Sequence, residues 1–251
     1  MQHRMERGLL DASISFVFSN REHGEAEGSD AFFALVDGYG LPLVTLSSRR
    51  FAREHGGRFA DSRPAYDQQV RELLQAWEVD VCMLAGYMLI VSAELWDHWP
   101  MLNLHPALPD GPKGTWQEVI WQLIDARATH TGAMVHLAND DLDRGPVVAY
   151  FTLPITGPDF DPLWQETTGR TPEELRRAPG EQLPLFQRIR EEGYRREPYL
   201  ISESLQALAQ GRLTVAGGTV RDARGQPVEG LCLDDAIERE LGGEGISIET
   251  G

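Results

Sequence analysis

The stretch Val81-Cys82-Met83-Leu84-Ala85 is apolar without a break. A strand with one wet face alternates apolar and polar residues. A strand covered on both faces does not, and such strands belong to parallel sheets flanked by helices. Immediately upstream, Tyr66, Val70, Leu73, Leu74 and Trp77 form one helical stripe, with Asp61-Ser62 and Pro64 marking its start. Further back, Leu43-Val-Thr-Leu46 and Ile14-Ser-Phe-Val-Phe18 read as strands. Between them lies a helix that carries Phe32, Phe33, Leu35, Val36 and Tyr39. Downstream come a short strand at Leu102-Asn-Leu-His105 and a helix stripe of Trp116, Val119, Ile120, Leu123 and Ile124. Two more strands, Ala133–Leu137 and Val147–Leu153, are joined by a polar turn from Asn139 to Gly145. This alternation predicts an α/β fold with an open, mostly parallel Rossmann-like sheet.

From Pro154 the texture changes. Gly157–Pro162 is loop-like, and Thr171-Pro-Glu-Glu174 has capping-box spacing. A helical stretch follows from about Leu183 to Gln210, with Gly193 and Pro198 expected to interrupt it. Gly211–Val220 reads as a hairpin. Three segments result: a catalytic domain over 1–155, an insertion with helix and hairpin over 156–220, and an acidic, partly flexible tail over 221–251. Met1 to Gly8 resembles the end of a helix, with Gly8 as its C-cap. The strand and Gly-rich turn that normally open a doubly wound domain are not seen, so the chain is expected to begin inside its first helix.

The 251 residues include 23 basic and 39 acidic side chains, a formal charge of −16. A surface for nucleic acid or an anionic membrane needs lysine and arginine, so neither is expected as a partner. There is no CxxC and no Cys/His ladder, which leaves no metal site to predict. His130 and His136 read as structural. The N-terminus has no apolar signal core, so the expected location is cytoplasmic. The patterns GxGxxG and GxSxG are both missing, which disfavours a dinucleotide fold and a serine hydrolase.

Asn103 and His105 are the sharpest local feature. Residues two apart on a strand share a face, and this strand ends in Pro106 and a long loop. Ligand sites of open α/β sheets lie at such carboxyl ends. An amide beside an imidazole can stabilise an oxyanion and move a proton. Asp143, in the later polar turn, would hold the imidazole charged if it lay close. On the residues alone, an Asn and a His at a strand end are more often loop hydrogen-bonders, and a solvated hairpin turn is the better account of Asp140 and Asp141.

Taken together, the pieces resemble the folate-dependent formyltransferases, and within them the branch acting on glycinamide ribonucleotide. The matching stretches are Phe18-Ser-Asn-Arg21, Asp61-Ser-Arg-Pro-Ala-Tyr-Asp67, Leu84-Ala-Gly-Tyr-Met88, Leu102-Asn-Leu-His-Pro-Ala-Leu-Pro109, Thr131-Gly132 and Asp141-Leu-Asp-Arg-Gly-Pro146. The resemblance implies a formyl transfer from 10-formyltetrahydrofolate to a primary amine, with Asn103, His105 and Asp143 catalytic and no metal. It places the folate against Met88, Leu89, Ile90 and Val91 and the turn Asn139, Asp140 and Asp141. It places the amine substrate, a small molecule, against Arg63, Ser19 and Asn20.

Other readings are formylation of an amino sugar nucleotide and a truncated, non-catalytic folate binder. Formylation of a tRNA is disfavoured by the −16 charge, and a deformylase by Pro106 directly after His105. The family's first strand and phosphate loop find no match, which predicts a start at an internal Met and an exposed edge at Ile14–Phe18 that would favour a homodimer. Ala107-Leu108-Pro109 is one residue shorter than the family loop, and the usual downstream His is replaced around Thr115-Trp116. Both changes border the amine.

Overall fold

The computed structural model describes residues 1–247, with side chains through Gly242. The chain forms two compact units. The first comprises Gln2–Asn103 and Leu137–Gly145. The second comprises Leu104–His136 and the chain from Pro146 on.

The first unit runs α1 (Gln2–Glu6), β1 (Val17–Ser19), α2 (Glu27–Gly38), β2 (Leu43–Thr45), α3 (Ser48–Glu54), α4 (Phe59–Leu74), β3 (Cys82–Leu84), α5 (Ala93–Trp96) and β4 (Met101–His105), whose last two residues pass into the second unit. Strand β1 is parallel to β2, and β3 is parallel to β4 with Leu84 opposite Asn103. One apolar cluster ties these elements together. Tyr66, Val70 and Leu74 of α4 meet Leu46, Phe51, Val91, Leu95, Trp99 and Met101 in it. Of the stripe expected for α4, Tyr66, Val70 and Leu74 are the buried face, Leu73 is 40% exposed, and Trp77 lies past the helix end and is partly buried. The helix begins at Phe59, earlier than Asp61, and takes Pro64 inside. Helix α2 buries only Phe33 and Val36, while Phe32, Leu35 and Tyr39 face out. Its five apolar residues cover a wider arc than the core it meets. Gly8, at φ 67°, follows α1 and accepts the cap role expected of it.

The second unit continues with α6 (Trp116–Asp125), β5 (His130–Leu137), β6 (Val147–Pro154), α7 (Asp161–Gln165), α8 (Pro172–Arg177), a 3-10 turn (Gly180–Gln182), α9 (Pro184–Ala209), β7 (Leu213–Ala216), β8 (Thr219–Asp222), β9 (Leu231–Cys232) and α10 (Asp234–Ser247). Strands β5 and β6 are antiparallel, β9 joins β6 in parallel, and β7 and β8 form the expected hairpin. Thr115 and Glu118 close a capping box on α6, and Thr171 and Glu174 close the one expected on α8.

Three expectations change. Neither Gly193 nor Pro198 breaks α9, which is continuous over 26 residues. Two ion pairs along it span Gly193, from Arg190 to Glu197 (2.8 Å) and from Arg196 to Glu192 (2.7 Å), and beyond Pro198 the helix buries Leu200, Ser202 and Ser204. The segment read as a tail carries β9 and α10. Ile237 of α10 is fully buried, and Asp234 accepts a hydrogen bond from the Thr152 N–H (2.7 Å). The end of the predicted tail, 248–251, lies outside the described residues. The two units also divide the chain at Asn103/Leu104, inside the segment read as one catalytic domain. Among the described residues, no helix is long and apolar enough to cross a membrane.

Candidate active site

All but one of the predicted site residues lie in the first unit: Ser19, Asn20, Arg63, Met88–Val91, Asn103, Asn139–Asp141 and Asp143. His105 alone lies in the second. Strand β4 carries Asn103 and, two residues on, His105, which is 3% exposed. The His105 Nε2 lies 2.8 Å from the Pro112 carbonyl oxygen. Such a contact orients the ring against the loop that follows the strand. That loop turns back through a hydrogen bond from the Gly111 N–H to the Leu108 carbonyl (2.8 Å). Leu108 tucks against Gly132, where an added Cβ would sit 2.7 Å from Leu108 Cδ2 and 2.0 Å from the Phe151 carbonyl oxygen. This close approach explains the glycine of the Thr131-Gly132 match.

Asp143 is 9% exposed and has φ 58°, a left-handed conformation rare outside glycine. The turn that holds it is built locally. The Asn139 side chain accepts from the Asp141 N–H (3.1 Å), and the Arg144 N–H donates to the Asp141 carbonyl (3.0 Å). The strain of such a residue is commonly found where a side chain must be aimed.

The predicted folate wall divides by residue. Met88 (84%) and Ile90 (44%) are exposed, whereas Leu89 and Val91 pack into the core cluster. Leu142, on the Asn139–Gly145 turn, is also exposed (52%). Ala138, at the base of that turn, packs on the same cluster and donates its N–H to the Met101 carbonyl (2.8 Å). Core packing therefore explains two of the four wall residues and leaves two apolar side chains facing outward.

Ser19 and Asn20 shape their own loop. The Ser19 Oγ accepts from the Arg21 N–H (3.1 Å), and the Asn20 Nδ2 donates to Ser48 Oγ (3.2 Å). The Arg63 Nε is buried with no hydrogen-bond partner. Asp67, one turn along α4, was not singled out by sequence. It is 1% exposed and accepts from the Ser92 N–H (2.6 Å). Burial pushes its carboxyl above the usual range. Its position four residues after Arg63, next to a core tyrosine, was the available signal. His130 is exposed and His136 buried, and among the described residues no group of three or more His, Cys, Asp or Glu is placed to hold a metal ion. A cavity of about 450 Å³ beside Arg212, Cys232, Asp234 and Arg239 contains none of the predicted residues.

The structure gives an α/β fold with a histidine at one strand end and, separately, an acid strained into a turn. The comparisons specify the family. Residues 5–163 match the Formyl transferase family, and the chain belongs to that family. It is 34% identical over 155 residues to the phosphoribosylglycinamide formyltransferase of Escherichia coli (strain K12), covering 61% of this chain and 65% of that protein. It is 27% identical over 143 residues to the formyltetrahydrofolate deformylase of Escherichia coli O6:H1, covering 56% of this chain and 44% of that protein. The crystal structure of glycinamide ribonucleotide transformylase 1 from Symbiobacterium toebii superposes with a TM-score of 0.59 at 25% identity, covering 88% of this chain and 85% of that one. The chain spans 9% of the trifunctional purine biosynthetic protein adenosine-3 of Bos taurus, at 34% identity over 96 residues.

Proposed function

We propose that this protein transfers a formyl group from 10-formyltetrahydrofolate to the primary amine of glycinamide ribonucleotide, a step of purine synthesis. The observation that carries the reading is the family match over 5–163, which contains every residue assigned to the reaction. The amine nitrogen attacks the formyl carbon, and the carbonyl oxygen becomes an oxyanion. The Asn103 amide and a protonated His105 donate hydrogen bonds to it. Asp143 favours the charged imidazole and, through water, helps carry the amine's proton to the departing folate nitrogen. The carbon–nitrogen bond to the folate then breaks, releasing tetrahydrofolate and the formylated amine. The outward Met88 and Ile90 take the folate ring, and the Arg63 guanidinium takes the anionic end of the amine substrate.

The similarity to a deformylase favours a second reading, in which water replaces the amine. One assay separates them. Purified protein is mixed with 10-formyltetrahydrofolate, with and without glycinamide ribonucleotide. Tetrahydrofolate release that depends on the ribonucleotide supports the transferase. Release of formate without it supports the deformylase. No turnover in either mixture overturns both.

A further inference from the structure

Asp67 is an acid that α4 buries almost completely, at 1% exposed. Solubility does not require it, and burying its charge costs stability. Its geometry suggests a reason. Arg63, Tyr66 and Asp67 stand at i, i+3 and i+4, on one face of α4. Tyr66 is fully buried and donates its hydroxyl to the Leu46 carbonyl (2.6 Å), which anchors this face of α4 to the core. The Asp67 Oδ2 accepts the Ser92 N–H at 2.6 Å. Ser92 follows Val91 directly and is the N-cap residue of α5. At the other end of the same segment, Tyr87 packs into the core cluster beside Phe18, with ring centroids 6.3 Å apart. The run Met88–Val91 is therefore tied down at both ends, at one by a ring and at the other by a carboxylate. Between the ties, two apolar side chains are held in solvent, an arrangement that costs free energy unless something covers them.

We infer that Asp67 is a positioning residue: by holding the Ser92 N–H it fixes the Met88–Val91 segment for the folate, on the same helix face that carries Arg63. The inference rests on the folate reading above. The Arg63 guanidinium lies near enough to Asp67 to offset its charge, so one face of α4 serves both the segment assigned to the folate and the cation assigned to the amine substrate. A charged acceptor makes a stronger hydrogen bond to a backbone N–H than a neutral one, which accounts for an acid at this place.

The test uses the full chain with Asp67→Ala, Asp67→Asn and Ser92→Pro, the last removing the donor and leaving the acid. Amide hydrogen exchange over residues 87–92 is measured without folate. Affinity for 5-formyltetrahydrofolate and the kinetic constants for 10-formyltetrahydrofolate are measured beside it. The expected result for Asp67→Ala is exchange at least tenfold faster in 87–92 and a folate KM raised about tenfold, with kcat within about threefold. Asp67→Asn, which keeps an acceptor oxygen, should recover most of the KM. Ser92→Pro should raise KM as the alanine does, and it carries the test if Asp67→Ala does not fold. A merely structural acid would lower the melting temperature and leave KM in place, and that result overturns the inference. A wild type that binds no folate overturns the folate reading and this role with it. A wild type that binds folate, beside variants that bind equally well, overturns this role alone.

Discussion

His105 and Asp143 are held in place by different means. His105 is fixed by burial and by the Pro112 carbonyl, both consequences of a strand that ends in a turn-back loop. His105→Ala should leave a folded protein with formyl transfer reduced by about 10²–10⁴-fold or more, while folate binding persists. Steady-state kinetics and a folate titration check both parts. Asp143 is fixed by its own backbone. Asparagine tolerates φ 58° nearly as well as aspartate, so Asp143→Asn should melt within a few degrees of wild type and lose most of kcat. If the variant unfolds instead, Asp143 is a structural acid.

At the scale of the element, two features are exposed to test. Strand β5 admits only glycine at 132, because an added Cβ would meet the Phe151 carbonyl and the Leu108 methyl at once. Gly132→Ala should destabilise by about 1–3 kcal/mol and reduce activity through the loop that holds His105, as thermal melts and kcat would show. In α9, Glu192 is 7% exposed and meets Arg188, Arg195 and Arg196 at 3.1, 3.4 and 2.7 Å. Burial opposes its charge, but the Arg196 hydrogen bond and the three cations prevail, and its carboxyl is held below the ordinary glutamate range. A lowered folded-state value stabilises above the unfolded value and is lost as pH falls through the folded one. Glu192→Gln should therefore lower the melting temperature at pH 7, with the gap from wild type closing below about pH 4. Capping on α8 and the pattern of α4 were legible because both are local. The continuity of α9 was not, because Gly193 and Pro198 act locally, while the ion pairs across Gly193 and the burial of Leu200 and Ser204 beyond Pro198 depend on the helix already being formed.

At the scale of the whole molecule, the formal charge of −16 disfavours a polyanionic acceptor and leaves a small anion to be held by single residues such as Arg63. Excess charge of one sign also repels itself in the compact state. Raising sodium chloride from about 10 to 200 mM, where the screening length falls to roughly 10 Å or less, should raise the melting temperature by a few degrees. A melting temperature that falls with salt would show that local ion pairs such as those of Glu192 outweigh the net repulsion.

Sequence alone was enough for the α/β rhythm, the strand that carries Asn103 and His105, and the family these residues belong to. Those features are written in periods of two and 3.6 residues and in short motifs, which need no knowledge of distant neighbours. Tertiary structure decided the rest. It turned Leu89 and Val91 inward and left Met88 and Ile90 outward, although all four are apolar. It placed a buried aspartate under Ser92 from 25 residues away. It made a helix of α10 from a segment whose composition reads as a tail. Burial and buried hydrogen bonds depend on which surfaces the folded chain brings together, and apolar composition or the number of charges along a segment does not specify those surfaces.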